Sequence, residues 1–249
     1  MSAIRPQFVL FGDSITQKSF GPGGWAGALA DVYQRRVDVI NRGYSGYNTR
    51  WVLAIMDHIF PANATSKVEL ATVFFGANDA ALPDRTSANQ HISLSEYTSN
   101  VKSIVAHLRS RDISSIILIT PPPVFEQARI AHALTTYNVK LEASERTNEA
   151  TGHYAEAVVS LGADLGVPVL NLWQEFQKIE NWGEELLNDG LHLTPKGNTL
   201  VGKLVLECIQ TNFNALQPEK IPFDLPEWTE MATSTDGAAT VTAFLSSKK

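Results

Sequence analysis

Five short apolar runs punctuate the chain: Phe8-Val9-Leu10-Phe11, Val37-Asp38-Val39-Ile40, Leu70 to Phe75, Ile116-Ile117-Leu118-Ile119 and Val167-Pro168-Val169-Leu170. They are rich in β-branched and aromatic residues. Near-continuous runs of this kind suit strands buried on both faces, as in a parallel sheet. The segments between them read as helices. Tyr97, Val101, Ile104, Val105 and Leu108 recur at helical spacing, and Ser93 with Glu96 predicts a capping box ahead of them. Leu200, Val201, Leu204, Val205 and Cys208 form a second stripe, with Thr194 as its N-cap and Pro195 at the first helical position. The long segment of about 40 residues before the fifth run is expected to carry helices, since Thr135 to Val159 is rich in Ala, Glu and Lys. This alternation predicts an α/β fold, a three-layer α/β/α sandwich with about five parallel strands. In such sheets ligands bind outside the carboxyl ends of the strands.

Pro121-Pro122-Pro123 ends the fourth run and forces an extended exit. A boundary is expected near residue 217, separating a main domain (1–217) from a C-terminal extension (218–249). Within the extension, Ile221-Pro222-Phe223-Asp224-Leu225-Pro226-Glu227-Trp228 is kept extended by its prolines yet carries large apolar side chains. It reads as an arm that docks on the body or on a second subunit, the latter giving a homodimer. Beyond Met231 the composition turns to Thr, Ser, Ala and Gly, and the chain is expected to fray.

At 249 residues the chain is long enough for one large core. Its formal net charge is -6 and its densest basic pair is Arg35-Arg36. That balance disfavours nucleic acid and anionic membranes as partners. The single cysteine, Cys208, allows no internal disulfide. No segment approaches the roughly 20 apolar residues that span a bilayer, and the apolar run at Phe8 is too short for a signal peptide. A soluble cytoplasmic protein is expected.

The chemistry lies just past the runs. Ser14, in Gly12-Asp13-Ser14-Ile15, follows the first run, and Asp189-Gly190-Leu191-His192 precedes the Thr194 cap. A serine hydroxyl becomes nucleophilic when an imidazole takes its proton and a carboxylate orients that imidazole. Ser14 alone reads equally as a helix cap, and Asp189 alone as an Asx-turn. Asp at i and His at i+3 in a tight turn can place the carboxylate on Nδ1 and leave Nε2 for the serine. Acyl transfer also needs donors for the developing oxyanion. Gly43-Tyr44-Ser45-Gly46-Tyr47-Asn48-Thr49 offers a backbone N–H from Gly43 or Gly46, and Gly76-Ala77-Asn78-Asp79 offers the Asn78 amide. Gly21-Pro22-Gly23-Gly24 is Gly-rich but lacks the Gly-Lys-Ser/Thr of a P-loop. No His or Cys spacing suggests a metal, and no cofactor is expected.

Taken in order, Ser14 in Gly-Asp-Ser, Gly46 in Ser-Gly-Tyr-Asn, Asn78 in Gly-Ala-Asn-Asp and His192 in Asp-Gly-Leu-His resemble the four blocks of the SGNH, or GDSL-type, hydrolases. Ile15 stands where leucine gives the GDSL name. Across roughly residues 7 to 213, blocks such as Phe11 to Gln17, Asn41 to Trp51 and Phe74 to Ala80 look like the isoamyl acetate-hydrolysing esterase branch. The resemblance implies a flavodoxin-like fold and a serine esterase acting on short-chain acyl esters, especially acetates of small alcohols. It implies Ser14, His192 and Asp189 as the triad, and Ser14, Gly46 and Asn78 as the oxyanion hole. Tyr47, Ala77, Val124 and Phe125 are candidate pocket liners. A lysophospholipase, thioesterase or carbohydrate acetylesterase would use the same site.

Overall fold

The computed structural model describes residues 5–247. The five runs become β1 (Gln7–Gly12), β2 (Asp38–Gly43), β3 (Val68–Phe74), β4 (Ile116–Ile119) and β5 (Val169–Leu170). All neighbours pair in parallel, in the order β2-β1-β3-β4-β5. The chain moves outward from β1 in one direction to β2 and in the other to β3. That reversal opens a crevice at the carboxyl ends of β1 and β3, where doubly wound folds bind ligands.

The helices are α1 (Ser14–Gln17), α2 (Trp25–Val32), α3 (Thr49–Leu53), α4 (Met56–Ile59), α5 (Leu94–Ser110), α6 (Glu126–Tyr137), α7 (Asn148–Leu165), α8 (Leu172–Gln177), α9 (Trp182–Leu186), α10 (Pro195–Asn212), α11 (Trp228–Ala232) and α12 (Gly237–Ser246). Strand alternation divides the core into two layers. Phe8, Leu10, Ile117 and Ile119 pack with Trp25 and Leu29 of α2 and with Val201, Val205 and Ile209 of α10. Val9, Phe11, Ile116 and Leu118 pack on the other face with Val101, Ile104, Val105 and Leu108 of α5 and with Tyr154, Val158 and Leu161 of α7. Burial on both faces explains why these strands lack a polar alternation. No helix among the described residues is long and apolar enough to cross a membrane.

The structure departs from the sequence expectations in two places and divides a third segment more finely. The long segment before β5 carries helices as expected, and it carries two: Asn138 adopts a left-handed conformation (φ 53°) that ends α6, and Thr147 caps α7 by accepting from the Ala150 N–H. Residues 138–147 between them are an irregular segment that carries the buried Ser144, Glu145 and Arg146. Only half of the expected capping box forms at α5. Ser93 Oγ accepts from the Glu96 N–H, but the Glu96 carboxylate takes the Arg50 guanidinium instead. Finally, Gly237–Ser246, where fraying is expected, forms α12. Asp236 caps α12 at the Ala239 N–H, and an alanine-rich turn follows with good intrinsic helix propensity.

The arm itself lies against the body. Asp224 accepts from Arg5 Nε at 2.7 Å, and Arg35 Nη2 donates to the carbonyls of Leu225 at 2.8 Å and Pro226 at 3.0 Å. The Phe223 ring sits under the guanidinium groups of Arg35 and Arg36, at 4.7 and 4.1 Å. The densest basic pair of the chain thus clamps its own C-terminal extension.

Candidate active site

Ser14 stands at the first position of α1, immediately beyond β1. Asp13 caps that turn, its Oδ1 accepting from the Ile15 N–H at 2.9 Å. His192 and Asp189 lie between α9 and α10 in a loop fastened at both ends. Leu187 pairs with Leu193 across an antiparallel bridge, the Asn188 N–H donates to the His192 carbonyl, and the Thr194 N–H donates to the Leu186 carbonyl. Thr194 caps α10 at the Gly197 N–H. Gly190 has φ 78°, and a Cβ there would lie 2.3 Å from the Phe125 carbonyl oxygen. Only glycine permits both the backbone conformation and that approach.

This loop delivers His192 to Ser14 across 178 residues of chain. The Ser14 hydroxyl lies 2.9 Å from His192 Nε2, and His192 Nδ1 lies 2.7 Å from Asp189 Oδ2. A carboxylate only accepts, so Nδ1 carries the proton and Nε2 is left to accept from the hydroxyl. Asp189 Oδ1 accepts from the Leu191 and His192 N–H groups at 3.0 and 2.7 Å. Burial opposes ionisation of Asp189. The His192 bonds and charge, with a smaller contribution from Arg129, outweigh it and hold the carboxyl well below the usual carboxylate range.

The proposed donors gather at the same end of the sheet. Gly46 has φ 80°, a conformation suited to glycine, and its N–H meets no acceptor among the described residues. The Gly43 N–H, by contrast, is already given to Asn41 Oδ1 at 2.8 Å. Asn78 is buried and its Nδ2 donates to the Tyr47 carbonyl at 2.9 Å, which leaves its second N–H uncommitted. The Tyr47 ring packs on Tyr44 and Trp51. Ala77 and Val124 are buried in the core, and Phe125 stacks edge-on against Trp182 while its N–H donates to the Gly190 carbonyl. Tyr47 and Ala77 therefore border the Asn78 amide, whereas Phe125 buttresses the Asp189 loop and the Val124 N–H donates to Asn148 Oδ1 at 3.3 Å.

Several groups around the site carry no local signal in the sequence. Arg129 on α6 reaches Asp189 Oδ2 at 3.3 Å and Glu145 Oε1 at 2.6 Å. Arg146, 3% exposed, contacts Glu145, Ala77, Asn78 and Gln90. Burial disfavours the Glu145 carboxylate, but Arg129 and Arg146 hold its pKa below the usual value. In sequence no motif surrounds these residues, and nothing local marks them as buried. A second histidine, His132, lies 3.9 Å from Asp189 Oδ2. Beneath Ser14, Asp13 and Asp79 are fully buried, each with one carboxylate oxygen lacking a hydrogen-bond partner among the described residues. Burial raises Asp13 to about 7 and Asp79 to about 6.

The model of the GDSL-like Lipase/Acylhydrolase family matches residues 10–200, which span every element of this site. The chain belongs to that family. A GDSL esterase/lipase of Arabidopsis thaliana is 49% identical over 225 residues, covering 90% of this chain and 92% of that protein. The isoamyl acetate-hydrolyzing esterase 1 homolog of Homo sapiens is 42% identical over 232 residues, covering 92% and 89%. Among solved structures, a lipase/acylhydrolase from Enterococcus faecalis superposes with a TM-score of 0.65 at 26% identity, covering 83% of this chain and 96% of that one. An acetyl xylan esterase shares the fold with a TM-score of 0.65 at 18% identity, over 82% and 99%. This GDSL-type chain is a carboxylic ester hydrolase, built on the parallel sheet that its apolar runs predict.

Proposed function

We propose that the protein hydrolyses short-chain acyl esters, acetates of small alcohols foremost, through Ser14, His192 and Asp189. The observation that carries this reading is the continuous hydrogen-bonded line from the Ser14 hydroxyl through His192 to Asp189, at 2.9 and 2.7 Å. Ser14 attacks the ester carbonyl as its proton passes to His192 Nε2. Asp189, kept ionised by its surroundings, stabilises the imidazolium that results. The tetrahedral oxyanion is received by the Ser14 and Gly46 N–H groups and by the Asn78 amide, each donor contributing about 3 kcal/mol at the transition state. His192 returns its proton to the departing alcohol. Water then enters by the same route, giving its proton to His192 and releasing the acid from Ser14.

Gly46 is favoured over Gly43 as backbone donor because the Gly43 N–H is already engaged. The acetate preference is supported by relatives named as isoamyl acetate-hydrolyzing esterase 1 homologs. A series of p-nitrophenyl esters from acetate to long acyl chains tests both parts. Hydrolysis is expected to be fastest for acetate, to fall with chain length, and to vanish in Ser14→Ala with an unchanged circular dichroism spectrum. Equal activity of Ser14→Ala would remove the serine mechanism. A flat profile out to long chains would replace the acetate preference with a broader acyl specificity.

A further inference from the structure

An asparagine amide can stabilise an oxyanion only when its NH₂ end faces the reacting carbonyl, and rotation about its last side-chain bond exchanges the two ends. Here the oxygen end of Asn78 is taken by Arg146, whose Nη2 lies 3.3 Å from Asn78 Oδ1. The same guanidinium holds the preceding peptide, with Nε donating to the Ala77 carbonyl at 2.8 Å. Its Nη2 also donates to Gln90 Oε1 at 2.6 Å, and Gln90 Nε2 donates in turn to the Gly46 carbonyl at 3.0 Å. One buried cation therefore grips the Asn78 side chain, the backbone before it and, through Gln90, the Gly46 peptide.

We propose that Arg146 is a positioning residue for the oxyanion hole, acting with Gln90 to fix the Asn78 amide and the Gly46 turn together; this rests on the hydrolase reading of Ser14. A guanidinium serves this purpose because it presents several donors in one rigid plane. Its charge is balanced by Glu145, to which Nη1 donates at 2.8 Å. Glu145 is shared with Arg129, which reaches Asp189. The same ionic chain thus runs from the oxyanion side of the site to the carboxylate behind His192. A guanidinium needed only to balance Glu145 would not require its other nitrogens to meet Ala77, Asn78 and Gln90.

Steady-state kinetics with p-nitrophenyl acetate, on the full chain, test the proposal. Arg146→Lys keeps the charge and loses the fork. Its kcat is expected to fall about 10–100-fold with KM changed by less than about threefold, since the fork aligns donors whose bond to the oxyanion is made in the transition state. Gln90→Ala, at a partly exposed position, is expected to lower kcat by about 10-fold without altering the melting temperature. In an Asn78→Ala background the same Arg146→Lys change is expected to cost clearly less than in the wild-type background, because the amide it orients is gone and only its hold on the Gly46 turn through Gln90 remains. The proposal is overturned if both single variants keep wild-type kcat, or if the losses from Arg146→Lys and Asn78→Ala simply multiply. Should Arg146→Lys fail to fold, Gln90→Ala decides alone: a kcat lowered about 10-fold at unchanged KM supports the proposal, and a wild-type kcat overturns it. Wild-type hydrolysis that survives Ser14→Ala would instead fault the parent reading, and this proposal with it.

Discussion

Asn78 has two N–H bonds, and the fold uses one of them on the Tyr47 carbonyl at 2.9 Å. The other is available to a developing negative charge at no cost in reorganisation, because the side chain is buried and its oxygen is already held. Asn78→Ala should therefore lower kcat by about 10²–10³ and leave KM nearly unchanged. A loss confined to KM would make Asn78 a ground-state binder. At this scale the sequence was informative about identity and poor about contacts. Ser14, Asn78, Asp189 and His192 could each be named from short motifs. The choice between Gly43 and Gly46 could not be made from spacing, because it depends on an Asn41 side chain that folds back onto the Gly43 N–H.

The loop from Asp189 to Pro195 is the element on which the imidazole depends. Its bridge to Leu187, its cap on α10 and its contact with Phe125 leave the Gly190 backbone no room for a side chain. Gly190→Ala places a Cβ on the Phe125 carbonyl oxygen at a left-handed position, so stability should fall by about 1–3 kcal/mol. Thermal denaturation would measure that loss, and kcat should fall with it as Asp189 shifts behind His192. An unchanged melting temperature would mean the loop is looser than its contacts indicate. The strands, α5 and α10 were legible because periodicity and capping are local signals. Residues 138–147 were not. Asn138 and Thr147 are ordinary stop and cap residues, but the burial of Glu145 and Arg146 depends on partners up to 69 residues away. The C-terminal helix was missed for the opposite reason, since small and polar residues that suggest fraying also serve as a cap and a helix-forming turn.

For the whole molecule, the titratable groups divide into two sets with opposite effects on stability. Asp189, Glu145 and Asp224 have pKa values held below normal, because bonds to His192, to Arg129 and to Arg5 outweigh the burial that opposes ionisation. Their stabilisation is present above the unfolded pKa and is lost as the pH falls and the unfolded chain takes up protons first. Asp13 and Asp79 behave in the reverse sense. Burial raises them to about 7 and about 6, from 3.8 in a free chain, so over that interval the folded state binds more protons than the unfolded one. Stability must then decline as the pH climbs from about 4 to about 7. The two sets together put the stability maximum near pH 4, where the first set's loss on the acid side meets the second set's decline. Asp13→Asn separates them. An asparagine keeps an oxygen for the Ile15 N–H but cannot ionise, so the variant should lose much of the decline between pH 5 and pH 8. Melting temperatures of wild type and variant across that range provide the measurement. The same slope in both would show that Asp13 is ionised throughout and that some other group supplies the pH dependence.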